Sequence, residues 1–210
     1  NSVKSGASIA IGVGSRGVAN IAIAVKALVE SLKELGANPF IFPAMGSHGG
    51  GTVENQVGLL AGYGVTEENV GAEVRGTMET VVPVVLEDGT KVHMDKFASE
   101  ADGVILINRV KPHTNFRGDI ESGIVKMMTI GMGKINGASE LHGAYPMSTF
   151  GSNLPNAAKH LLDKINFLFG VGLVEDAYDS TAIVEAIPAS DLFEKEAILP
   201  VSYTHLRAHE

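Results

Sequence analysis

Cysteine is absent from the 210-residue chain, so thiol catalysis, disulfides and Cys-ligated zinc are excluded within it. Clustered cations are missing too. The formal net charge is −8, which argues against broad binding to a nucleic-acid backbone. No apolar run reaches the roughly 18 residues of a membrane span. No repeat, low-complexity segment or signal peptide is visible, and the chain opens at Asn1 and not at Met. What is there is a hydrophobic content of 45%, enough to bury one real core with room for a small appendage.

The first eighty residues alternate in βαβα fashion. Ala7–Val13 is an apolar run bounded by glycines, the pattern of a strand buried on both faces. Asn20–Leu35 places Ile21, Val25, Leu28, Leu32 and Leu35 at helical spacing, with Gly36 as the stop. Pro39–Ala44 reads as a second strand, and Thr52 as the cap of a helix running to about Ala61. From Thr80 to Asp95 two β-rich runs meet at Asp88-Gly89, the signature of a hairpin. Gly103–Asn108, Phe167–Val174 and Thr181–Ile187 read as strands, Leu154–Lys164 as a helix. The expected fold is α/β: a mostly parallel sheet flanked by helices, with an inserted β-hairpin.

That fold directs attention to three loops, because ligands of open α/β sheets sit beyond the carboxyl ends of the strands. "GSRG" (Gly14–Gly17) follows the first strand, "GSHGGG" (Gly46–Gly51) the second, and "KPHTNFRG" follows "GVILIN". If the strands run parallel, Arg16, His48 and His113 converge on one rim. The loop of Gly46, Gly49 and Gly50 enters a helix, so its amides and the helix dipole suit an anion. It lacks the Gly-Lys-Ser/Thr ending of a P-loop, and an exposed His48 on a plain glycine turn is the alternative reading.

Pro112 keeps the chain extended before His113, and histidine is the side chain best suited to move protons near neutral pH. Two such bases facing one carbon are what a racemase needs; a surface histidine is the alternative. Lys126 lies between Ile124, Val125, Met127 and Met128. It must either snorkel to water or be desolvated, which lowers its pKa and frees the amine for covalent bonding. His142 reads as a metal ligand or a helix-end residue, and His93 and His160 as surface or packing residues. "GMGKING" (Gly131–Gly137) offers a second anion cradle, with Lys134 as its cation.

Taken in order, "GSRG", "GSHGG", "KPHTNFRG", "ESGIVK" and "ELHG" resemble the N-terminal domain of the nickel-dependent lactate racemase family. The resemblance runs from Arg16 to about Ile187. It implies a nickel pincer nucleotide, Ni(II) held by a pyridinium dithiocarboxylic acid mononucleotide, as cofactor. It implies His48 and His113 as the catalytic acid/base pair, Lys126 as the covalent cofactor tether and His142 as the nickel ligand. Arg16, with Ser15, Gly46, Gly49 and Gly50, would lie at the cofactor. The implied function is racemisation or epimerisation of a small 2-hydroxyacid in the cytoplasm, without nucleic acid or membrane as partner.

Two departures imply a distant branch and leave the hydroxyacid open. Val13-Gly14-Ser15 stands where the family has an acidic residue, and Ser122-Gly123-Ile124-Val125 where it has a Gly-Gly pair. Residues 1–200 are read as this domain, cut at both ends, and 201–210 as a non-native tail whose His205 and His209 have no role. The family's second domain, which closes the cleft and supplies a lysine for the substrate carboxylate, is expected to be missing, leaving the fragment inactive or nearly so. Two alternatives remain open at this point: a non-catalytic α/β module for a nucleotide or organic anion, and a metal hydrolase built on His48, His113 and His142. The second lacks any HExxH-like pair.

Overall fold

The computed structural model describes residues 3–113 and 118–199. Thr114–Arg117 of the loop beyond His113 and the 201–210 tail, with His205 and His209, lie outside the described residues. Strand β1 (Ser8–Val13) leads into helix α1 (Ile21–Glu34), then β2 (Asn38–Pro43), α2 (Val53–Gly62) and the one-turn α3 (Glu67–Val70). The hairpin follows as β3 (Thr80–Val85) and β4 (Lys91–Asp95), then the short α4 (Lys96–Ser99) and β5 (Gly103–Arg109). Beyond it come α5 (Ile124–Lys126), α6 (Lys134–Ala144), α7 (Phe150–Leu162), β6 (Phe167–Glu175) and β7 (Thr181–Pro188). Helix α8 spans 192–199.

The main sheet has five strands in the order β2-β1-β5-β6-β7, with β3-β4 forming a separate two-stranded sheet. All contacts from β2 to β6 are parallel and only the edge strand β7 runs antiparallel. The central strands are buried on both faces, so their residues alternate between two cores. Ala10, Phe42, Val104 and Leu106 face Val92, Met94, Met128 and Leu161. Ile9, Ile11, Val13, Ile105 and Ile107 face Val25, Val29 and Leu32 of α1 and Leu60 of α2. Each of the larger side chains contributes roughly 1.5–3 kcal/mol on burial, so these two layers hold the strands in place.

The helix caps follow from local chemistry. Thr52 Oγ1 accepts from the Asn55 amide at 3.3 Å, starting α2 as expected. Gly36, at φ 80°, closes α1. There the Ala37 amide reaches back to the Leu32 carbonyl and the Gly36 amide to that of Lys33, the paired bonds of a left-handed cap. The stripe of α1 is shifted by one position from the expectation. Val29 is buried, whereas Leu35 is 58% exposed, because Leu35 is the cap residue beyond the last turn of α1.

The stretch from Ile124 to Ala144 is helical in a way that hydrophobic spacing does not announce. Between α5 and α6 runs a π-helical turn, Met127–Gly131, with all five residues buried. Thr129 Oγ1 bonds back to the Val125 carbonyl at 3.0 Å inside it. At Gly131 a Cβ would stand 2.7 Å from the Ala44 carbonyl, so only glycine lets this turn press against the end of β2.

The expected "GMGKING" cradle is corrected by the same region. Lys134 is fully buried. Its amine pairs with Asp95 at 2.9 Å and donates to the Pro43 carbonyl. It binds the hairpin to the sheet and is not presented to a ligand. Helix α6 holds the hairpin further through Asn136 to Thr80 (2.9 Å) and Glu140 to the Lys91 amide (3.1 Å).

Candidate functional site

The chain passes from β1 to β2 on one side and then crosses back to β5 on the other. That makes the carboxyl ends of β1 and β5 a topological switch point, where an open α/β sheet leaves a crevice. A cavity of about 320 Å³ occupies this place. Ser15, Arg16, His48, His113, Lys126 and His142 all line it, joined by Asn108, Lys111 and Phe150. The structure thus brings together four elements' ends: the loops after β1, β2 and β5, and the helical stretch around α5 and α6.

Each loop is held by a buried or half-buried polar group. Tyr63, at the end of α2, donates its hydroxyl to the Ser15 carbonyl at 2.6 Å. The Ser15 hydroxyl and His48 Nδ1 share a short hydrogen bond. Gln56, wholly buried, donates through Nε2 to the carbonyls of Gly46 (3.0 Å) and His48 (2.9 Å). Glu175 accepts from the Ala19 amide at 2.7 Å and pairs with Arg109 at 2.8 Å, tying the far end of the β1 loop to β5 and β6. Gly14 lets Asn108 approach closely: a Cβ there would stand 2.3 Å from Asn108 Oδ1 and push that side chain aside.

The three glycines assigned to the cofactor take a different place. Gly46, Gly49 and Gly50 are outside the cavity lining. The Gly46 amide donates to the Gly131 carbonyl, and the His48 and Gly51 amides to carbonyls within the turn. These three amides are bonded within the fold and are not offered to an anion. All three glycines have positive φ (57°, 64° and 68°), so their sequence signal is that of a tight turn presenting His48.

At the centre, Lys126 Nζ lies 2.7 Å from His113 Nε2. The His113 amide donates to Glu121 at 2.6 Å, and the Gly118 amide to the same carboxylate at 3.2 Å, so Glu121 spans the base of that loop. Burial, then the charges of Arg16 and Lys111, bring the Lys126 amine down to about 8. Burial and the Lys126 charge bring His113 down to about 4. His48 is lowered by burial, Arg16 and Lys126, and His142 by burial and Lys126. Among the described residues, no carboxylate lines the cavity. Its bases are therefore neutral and its amine partly unprotonated near neutral pH.

Sequence reading missed Lys111, Asn108, Gln56, Tyr63 and Glu121. Lys111 adjoins the His113 motif and could have been noticed there; burial and the neighbouring Arg109 and Arg16 lower its amine as well. His142 lies on an exposed face of α6, its ring 4.9 Å from that of Phe150. Among the described residues no three His, Asp or Glu side chains are grouped to hold a metal ion, so the three-histidine hydrolase has no ligand set. His160 bonds the Asn156 carbonyl on α7. His93 bonds Thr80 at 2.9 Å in the hairpin, beside a more open depression that it lines with Lys91 and Glu140.

No family model and no curated protein matches the chain. Among solved structures it superposes on the lactate racemase apoprotein from Thermoanaerobacterium thermosaccharolyticum with a TM-score of 0.72 at 18% identity. The match covers 93% of this chain and 49% of that one, so the chain spans about half the length of that protein. At this identity the likeness establishes the α/β fold. No helix among the described residues is long and apolar enough to cross a membrane.

Proposed function

We propose that the chain is the cofactor-bearing domain of a 2-hydroxyacid racemase or epimerase. One observation carries the reading: His48, His113, Lys126, His142 and Arg16 line a single cavity with no carboxylate among them. The likeness to a lactate racemase apoprotein supports the class of reaction.

The donor set fits a nickel pincer nucleotide. His142, which lines the cavity, would hold the nickel through its one imidazole, the nucleotide bringing the other donors. Lys126, half-buried and brought down to about 8, is an amine able to bond covalently near neutral pH. When bound, the group supplies an acceptor for the hydrogen on the substrate's α-carbon.

The chain's own residues would handle the protons and the charge. His48 and His113 are both lowered, so each is a neutral base able to take the substrate hydroxyl proton and return it. The hydroxyl Ser15 shares with His48 Nδ1 orients that ring; the Glu121 carboxylate orients the backbone of His113. Arg16 and Lys111 provide the positive field that a carboxylate or phosphate requires. A second domain that closes the cleft would complete the site, and this chain alone is expected to turn over little or no substrate.

The test is to produce the chain together with enzymes that make the pincer nucleotide. Intact mass and nickel content are then measured. The expected result is a covalent adduct with stoichiometric nickel, absent in Lys126→Ala. Wild-type chain with neither adduct nor nickel, from a host in which a known racemase is loaded, overturns the reading. Binding of hydroxyacids or nucleotides without adduct would then favour the non-catalytic anion-binding module.

A further inference from the structure

One buried ionisable side chain lies outside the cavity and outside the proposed chemistry. Glu196, on α8, is 1% exposed. Its carboxyl accepts from the Val125 amide, at 3.0 Å to Oε2 and 3.3 Å to Oε1, and the Ile124 amide also bonds to it. These are the first donors of α5, which a helix cannot pair within itself. Ile124 and Val125 are wholly buried, so water does not replace a lost partner. Gly123 admits the carboxyl: a Cβ there would stand 2.4 Å from Glu196 Oε1. Among the described residues no cation pairs with Glu196.

The next residue along this turn is Lys126. We infer that Glu196 is a positioning residue for Lys126, ending the α5 amides from a distant helix and so fixing the turn that holds the amine beside His113. The inference uses the proposed function only in taking Lys126 as the reactive group. Its readout is the amine itself, with no cofactor present.

The chemistry of Glu196 makes the role separable from a charge effect. Burial pushes its carboxyl up to about 8, with the two amides acting in the opposite sense. Near neutral pH it is mostly the neutral acid, for which glutamine is a close match that keeps a carbonyl oxygen to accept the amides. Alanine keeps nothing and leaves two buried donors unpaired. The turn then relaxes toward water, and Lys126 loses the burial that is the first cause of its lowered pKa.

The experiment measures the pH dependence of Lys126 acylation by acetic anhydride in the whole 210-residue chain, read by peptide mass spectrometry. Lys26, exposed on α1, is the internal reference, and thermal midpoints are recorded alongside. Wild type should show a Lys126 midpoint at about 8. Glu196→Ala should raise it by about one unit or more, as resolvation demands; Glu196→Gln should leave it close to wild type. If the alanine variant does not fold, Glu196→Asp, too short to reach both amides, replaces it with the same expectation. An unmoved midpoint in the alanine or aspartate variant overturns the inference, even if the protein melts earlier. A glutamine shift as large as that of alanine overturns it too, since charge and not acceptance would then be at work. Failure of the racemase reading would appear in the adduct experiment and would leave these midpoints unaffected.

Discussion

Lys126 and Lys134 lie on one stretch of helical chain, and folding gives them opposite work. Lys134 is sealed from solvent, 2.9 Å from the Asp95 carboxylate, its amine 5.6 Å from the centre of the Phe42 ring. Burial lowers Lys134 and raises Asp95, each opposed by the other's charge. Lys126 keeps one face open to a cavity, meets an imidazole where Lys134 meets a carboxylate, and has Arg16 and Lys111 as its charged neighbours. A lysine folded against a carboxylate becomes a fastener. A lysine folded among cations becomes a reagent.

The comparison breaks most visibly in stability. Asp95→Ala leaves a buried ammonium without its counter-charge, the Pro43 carbonyl remaining, and also removes the acceptor for the Ala98 amide that starts α4 (3.0 Å). A loss of about 3–5 kcal/mol is expected, read by chemical denaturation. Replacing both partners, Asp95→Leu with Lys134→Met, should recover most of that loss, because it is the orphaned charge that is costly. Lys126→Met should be neutral or stabilising by about 1 kcal/mol, a figure kept small because the amine is partly solvated. A Lys126→Met penalty equal to that of Asp95→Ala would erase the distinction between fastener and reagent.

The pH dependence of stability sharpens it. Glu196 has its folded pKa raised from 4.5 to about 8. The folded state therefore binds the extra proton between those values, and stability falls as pH rises from 4.5 through about 8. Its contribution is on the order of a few kcal/mol, and Glu196→Gln should remove that slope. His113 acts in the other direction. Its folded pKa is depressed from 6.5 to about 4, so its contribution is complete above 6.5 and disappears as pH falls toward 4. Unfolding free energies of wild type and Glu196→Gln, measured from pH 4 to 9, should differ mainly above pH 4.5. Parallel curves across that range would show that the carboxyl under α5 is not held protonated.

The two lysines also differ in how much of their role is legible in the sequence. The strands were legible because apolar runs between glycines leave little choice of structure, and the hairpin because Asp88-Gly89 marks its turn. From those strands the convergence of Arg16, His48 and His113 followed by topology alone, and Lys126 stood out as a charge in an apolar run. Lys134 had no such local signal. Its meaning lies in Asp95, on a strand far away in sequence, and glycines around it imitate an anion loop. The π-helical turn was hidden because all five of its residues are buried, which leaves no amphipathic stripe to count. Glu196 was invisible for the same reason as Asp95: a cap supplied by a distant helix leaves no mark near the residues it caps.

The smallest expected effect is also the most local, and it asks whether the cavity's cations act on its bases. The Lys126 charge is the second cause, after burial, of the low pKa of His113. In Lys126→Met the charge is gone while much of the burial stays, so the His113 midpoint should rise from about 4 but stop short of 6.5; ring-proton NMR of the histidines reads it directly. His142, lowered by burial and the same charge, should move upward as well. A small carboxylate such as glycolate, added to wild type, should raise Lys126 and His113 together, since an anion among Arg16, Lys111 and Lys126 favours every protonated form there. If glycolate binds and His113 stays at about 4, the positive field and the histidine belong to separate parts of the cavity, and His113 would have to find its proton partner elsewhere.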